Sequence, residues 1–243
     1  MKKNIVLFLF VAISMISADQ LAAQKWWKSG VKGEGPSVRK TINLDKFDGF
    51  SLAVSGNVYI KQGNTQKVEV VGQENIIELL NRDVSDGYWK IKFDENVRNY
   101  NDFKVYITIP TLTRASISGS GDIESDGKFN SIGDLSVGIS GSGNIKLAAD
   151  ANDVNVRISG SGNIKMGGSA SNMEVRISGS GDVNCYEMPC ENAEITISGS
   201  GDVKIHATED LKVRSSGSGD VFYKGRPRVN SRSSGSGSVT SQS

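Results

Sequence analysis

Met173-Glu174-Val175-Arg176-Ile177-Ser178-Gly179-Ser180-Gly181-Asp182-Val183 decides the fold. Met173, Val175 and Ile177 alternate with Glu174 and Arg176, the period-two pattern of a strand with one face buried. Ser178-Gly179-Ser180-Gly181 then breaks the strand, and Val183 resumes an inward row. The same phrase recurs along the chain. Ser-Gly-Ser-Gly begins at Ser118, Ser140, Ser159, Ser178, Ser198, Ser216 and Ser234, so successive starts lie 22, 19, 19, 20, 18 and 18 residues apart. A fixed period near twenty, with two short strands per unit, implies coils stacked on one another. The fold expected is therefore all-β: a parallel β-helix or β-solenoid with coils of about 18–22 residues.

Each coil supplies two inward rows. Val154, Val156 and Ile158 begin one coil, Met173, Val175 and Ile177 the next, and Ala193, Ile195 and Ile197 the one after. After each corner comes Ile123, Ile145, Ile164, Val183, Val203, Val221 or Val239. Glycine at the corner answers two demands, a backbone angle that other residues adopt at a cost and the close approach of stacked corners, about 4.8 Å apart. Ser215, Ser231 and Ser233 replace inward Ile, so the last coils taper to a polar end. Seven coils span about 30 Å at that spacing.

The chain before the repeats has looser grammar. Residues 1–23 read as a secretory signal peptide. Met1-Lys2-Lys3-Asn4 is its basic start, Ile5 to Ile16 its apolar run, and Ala18, Ala22 and Ala23 its small residues. Residues 24–37, with Trp26, Trp27, Gly30, Gly33, Gly35 and Pro36, read as an irregular lead-in. A single domain is expected over 38–243, with less regular strands over 38–112 and the repeats over 113–243. Ile76, Ile77, Leu79 and Leu80 place one short helical turn within Asn75 to Asn81.

Charge and composition narrow the function classes. The net charge is +1, and Lys2, Lys3 and Asp19 account for it, so the remainder is formally neutral. That balance argues against a nucleic-acid partner and against broad electrostatic membrane binding. No apolar stretch after the signal is long enough to span a bilayer. The chain is expected to be exported, to the periplasm, cell surface or extracellular space.

Phe47-Asp48-Gly49-Phe50, Val54-Ser55-Gly56-Asn57-Val58, Val105-Tyr106-Ile107-Thr108-Ile109-Pro110 and the repeated Ser-Gly-Ser-Gly-Asp resemble the auto-transporter adhesin head family called the GIN domain, found mostly in exported proteins of Bacteroidetes. The resemblance covers about Val38 to the C-terminus. It implies a right-handed, mostly parallel β-helix that can assemble as oligomers, and it carries no catalytic residues.

Four groups of residues could carry chemistry. Asp122, Asn144, Asn163, Asp182, Asp202 and Asp220 follow successive corners and form one column. Stacked carboxylates repel by about 1 kcal/mol in water, which a Ca²⁺ ion would relieve with oxygen ligands. The competing role is capping, each side chain bonding the backbone of its own turn. Arg157, Arg176, Arg214 and Arg232 share a unit position, interrupted by Thr196. They make either a basic stripe for an anionic glycan or, with Glu174 and Glu194 alongside, a solvated ion-paired face. Cys185 and Cys190 can close a short disulfide, stay as free thiols, or contribute half of a metal site. His206 follows inward Ile205 and so points outward, with no nucleophile partner in sequence.

No enzyme motif emerges, and the function expected is a non-enzymatic interaction module of the cell envelope, adhesin-like, binding protein or glycan and needing no cofactor. A self-associating structural envelope protein and, less favoured, a polysaccharide-acting enzyme are the alternatives.

Overall fold

The computed structural model describes residues 30–242. The signal peptide expected over 1–23 and the pair Trp26 and Trp27 lie outside the described residues. The chain winds as a β-solenoid of about seven turns whose parallel bridges are about 19 residues apart. Long strands Asn144–Ile158, Asn163–Ile177, Val183–Ile197 and Val203–Ser215 each bend once and run nearly a whole coil. Register is nearly residue for residue between Asn144–Ile158 and Asn163–Ile177, and shifts between Lys165 and Gly167 and between Cys185 and Pro189 absorb the unequal lengths of the next coils. Ile145 lies over Ile164, Val156 over Val175 and Ile158 over Ile177, and the next coil continues with Val183, Ile195 and Ile197.

Inward rows are buried without exception through these coils. Val175, Ile195 and Ile205 are fully covered. Burying a Val or Ile side chain contributes about 1.5–3 kcal/mol, and the row repeats it coil after coil. A slip of one residue would turn the whole row outward, so the hydrophobic pattern fixes the register.

The Ser-Gly-Ser-Gly corners pack for a reason narrower than the sequence suggested. Positive φ occurs at Gly35, Gly87, Gly127, Gly168 and Gly225, none of them in a corner. Backbone angle is therefore not what demands glycine there. Space is: a Cβ on Gly160 would sit 1.9 Å from the Gly141 carbonyl oxygen, and one on Gly162 would sit 1.8 Å from that of Gly143. The corners also keep the hydrogen-bond ladder going. Ser161 N donates to Gly141 O at 3.2 Å and Ser180 N to Gly160 O at 3.1 Å.

The less regular strands join the same stack. Gly49–Leu52 pairs in parallel with Tyr88–Ile91 on one side and Arg114–Ile117 on the other. Gly56–Gln62 pairs in parallel with Lys104–Ile109 and with Gly121–Ile132. Parallel order stops at the first end. Lys67–Gln73 runs antiparallel to both Lys104–Ile109 and Ser37–Ile42, closing the solenoid with a reversed pair. The helix Glu74–Glu78 follows, burying Ile76 and Ile77, within a residue of the turn expected at Asn75. Gln73 locks this end, its Nε2 donating to Gly35 O and its Oε1 accepting from Asn101 N.

The lead-in differs from expectation in its described part. Val31–Lys32 forms a short strand paired with Val97–Asn99, and Gly33 lies so close to the Gln73 side chain that no Cβ would fit. At the other end the strand Arg228–Ser233 is exposed throughout, as the taper to serine implied.

Candidate functional site

In every coil the outward side chains are set at fixed positions, so like positions form columns along the axis. The Asp/Asn column stands as the spacing implied, but it caps differently. Asp182 Oδ1 accepts from Asp202 N at 2.8 Å, Asp202 Oδ1 from Asp220 N at 2.8 Å, and Asp220 Oδ1 from Ser238 N at 2.7 Å. Asn163 Oδ1 takes Asp182 N at 3.1 Å. Asp122, Asn163, Asp182, Asp202 and Asp220 thus bind the backbone of the next coil, not of their own turn. Asn144 donates its Nδ2 to Asp122 Oδ1 and Asn163 donates its Nδ2 to Asn144 Oδ1. Only an acceptor oxygen is needed, which is why Asp and Asn interchange. These bonds hold the Asp220 carboxyl below the usual range, the Ser238 backbone N–H first and the Ser238 hydroxyl second.

One carboxylate oxygen of Asp182, Asp202 and Asp220 is engaged along the axis. Among the described residues, no group of three or more His, Cys, Asp or Glu side chains is arranged to hold a metal ion.

The arginine column is in register, Arg157 beside Arg176 and Arg214 beside Arg232, with Thr196 between the two pairs. Its middle is neutralised. Arg176 pairs with Glu174, and Arg214 pairs with Glu194, which also takes Lys212 at 3.4 Å. These cations hold the Glu194 carboxyl below its ordinary value, the hydrogen bond from Arg214 foremost. Among the described residues Arg157 and Arg232, four coils apart, have no ion-pair partner, so the two unpaired cations of the column are not neighbours.

Of the three roles open to the cysteines the disulfide is not formed: Cys185 and Cys190 are two buried free thiols. Both occupy inward positions on either side of a bend. Cys185 lies beside Ile205 of the next coil and Cys190 beside Ala207. Cys190 Sγ donates to His206 O at 3.5 Å. Burial raises both thiols, Cys190 to about 12. His206 is half-buried and faces outward.

A second polar column was missed by reading only the corners. Asn172 Nδ2 donates to Asp153 Oδ1 at 2.8 Å, and Asn192 Nδ2 to Asn172 Oδ1 at 3.0 Å. Asp210 continues the column and pairs with Arg228. Its signal was present in the sequence as the same coil period, masked by neighbours that vary. Between this column and the one through Ser136, Asn155 and Glu174 lies a depression of about 450 Å³. A wider trough of about 780 Å³ meets it at Asn155, walled by Asp48, Asp86, Tyr88, Arg114 and Asp134. Arg114 stacks over the Tyr88 ring at 5.4 Å, and Tyr88 Oη bonds Ser116 Oγ at 3.1 Å.

The family model described as "Putative auto-transporter adhesin, head GIN domain" matches residues 46–227. The chain belongs to this family. The GIN-domain match covers most of the parallel coils and omits the reversed pair's first strand, Ser37–Ile42, and the last two strands, Arg228–Ser233 and Val239–Ser241. Solved structures agree in fold. A "putative adhesin" from Bacteroides fragilis superimposes with a TM-score of 0.82 at 24% identity, covering 88% of this chain and 100% of its own. A "putative lipid binding protein" from Parabacteroides distasonis gives 0.74 at 22%, with the same coverage of both chains. A second Parabacteroides distasonis protein, a "putative adhesin", gives 0.68 at 25%, again covering 88% and 100%. No protein of curated function matches the chain. Among the described residues, no helix is long and apolar enough to cross a membrane.

Proposed function

We propose that this GIN-domain protein is an exported, non-enzymatic, adhesin-like module of the cell envelope whose outward columns bind a glycan. One observation carries the reading. The surface is built from polar side chains repeated once per coil, and among the described residues Val229, 42% exposed, is its one exposed large hydrophobic side chain. A protein partner ordinarily requires aromatic and aliphatic anchors at the centre of the contact. A hydroxyl-rich ligand instead needs amides, carboxylates and hydroxyls at regular spacing, which the columns supply. Membership of an adhesin family supports the same direction.

The test is an array of glycans, uncharged and anionic, probed with the mature protein, beside capture from envelope extracts stripped of glycan. Retention on glycans supports the reading; capture of one defined protein with a blank array overturns it.

A second reading has an observation of its own. The exposed strand Arg228–Ser233 leaves a backbone edge open for pairing. A dimer by light scattering that is lost in an Arg228→Pro variant would favour self-association.

A further inference from the structure

The trough walled by Asp48 and Tyr88 and the depression walled by Asp153 and Asn172 both reach Asn155. We propose that together they form one groove along the coil axis, that this groove is the ligand site, and that it takes an extended, uncharged, hydroxyl-rich polysaccharide strand. The inference rests on the glycan reading above and adds where the ligand lies and what it is.

Three features favour that occupant. First, the repeat of the walls matches the ligand. Ser136, Asn155, Glu174 and Glu194 stand on successive paired strands, about 4.8 Å apart, close to the length of one pyranose unit along a linear glycan. One sugar would meet one coil. Second, hydrogen-bonding capacity is open. Ser136 and Asn155 are half-buried and make no side-chain hydrogen bond among the described residues, so the Asn155 amide offers both donors and acceptor. Asn172 and Asn192 each engage one amide hydrogen in the column and keep the second. Paired donors and acceptors of this kind suit sugar hydroxyls, which both give and accept.

Third, charge selects against the other glycan class. Among the described residues, Asp48, Asp86, Asp134 and Asp153 have no cationic partner within ion-pair distance, while Glu174, Glu194 and Asp210 do. An anionic polymer would meet those open carboxylates along the upper half of the groove. Arg114 is the cation there, and it lies over Tyr88. The apolar floor is shallow, with Met173 and Ala193 nearly covered, so a long aliphatic chain would find little to bury against.

The experiment is calorimetric titration of the mature protein with linear cello-, xylo- and mannohexaose, and with oligogalacturonate as the anionic comparison. The result expected is binding of at least one uncharged hexasaccharide and none of the oligogalacturonate. Asn155→Ala should weaken that binding about tenfold. Ser136→Ala should weaken it less, and Arg157→Ala, one row away, should leave it unchanged. Melting curves of the variants confirm that each is folded. Binding unchanged in both Asn155→Ala and Ser136→Ala, or tighter binding of oligogalacturonate, overturns the groove while the glycan reading stands. No binding of any of the four overturns both.

Discussion

Replacing Gly160 with Ala puts the packing of the corners to the sharpest test. The added Cβ would lie 1.9 Å from Gly141 O and 2.9 Å from its carbon, both backbone atoms that cannot swing aside. Relief requires the two coils to part locally by about 1 Å, beyond what a well-packed region absorbs. That movement stretches the bonds Ser161 N to Gly141 O and Ser180 N to Gly160 O, which flank the site. Overpacking costs about 1–3 kcal/mol, and each ladder bond lost costs about 1 kcal/mol, so a loss of about 3–5 kcal/mol is expected. For a chain of this size the melting temperature should fall by about 10 °C. Gly167→Ala is the control, because its Cβ would meet nothing nearer than 3.8 Å and its φ is not in the left-handed region. That change should be neutral or stabilising by about 0.5 kcal/mol. Thermal melts by circular dichroism decide the matter. If Gly160→Ala melts within about 2 °C of the parent, tight stacking is not why glycine occupies the corners.

Three further outcomes follow from the columns and the core. Asp202→Ala leaves Asp220 N without its acceptor and should destabilise by about 1 kcal/mol, whereas Asp202→Asn keeps the acceptor and should be close to neutral; equal losses in urea melts would contradict the capping role. The folded Asp220 carboxyl titrates below its unfolded value of about 3.9, so its stabilisation is present above that value and lost as pH falls through the folded one. Asp220→Asn should therefore show a shallower fall in melting temperature below about pH 4 than the parent, and parallel curves would refute the assignment. Cys185 and Cys190 are buried with raised thiol pKa values, so neither should react with a thiol reagent at pH 8 until the protein is unfolded, and fast native labelling would contradict their placement.

The repeat made most of the fold legible. Period-two apolar rows broken at a fixed interval leave stacked coils as the arrangement that buries every row, and Val175, Ile195 and Val213 stand where that logic puts them. The reversed pair Ser37–Ile42 and Lys67–Gln73 was not legible, because alternation reveals a strand but not its direction or partner. The pairing of Gln73 with Gly35 and Asn101 is likewise a long-range fit that no local pattern encodes. At the candidate site, the Asp/Asn column was visible as a column, yet its bonding along the axis depends on backbone groups one coil away. The arginines were visible too, and so was the ion-paired alternative with Glu174 and Glu194; which arginines are paired depends on side-chain reach. Which of the three cysteine roles holds was not legible, because five residues of separation do not reveal the register shift between two inward, buried thiols. The groove through Asn155 arises where the irregular strands meet the first regular coils, and no single stretch of sequence contains it.

The central claim is that the groove through Asn155 holds a glycan along the axis. A crystal structure of the mature protein grown with a bound uncharged hexasaccharide tests it most directly. The account predicts a sugar chain parallel to the axis across Asn155 and Asn172, one unit per coil. A sugar seated across the arginine face, or on the Asp/Asn column in place of the groove, would contradict it.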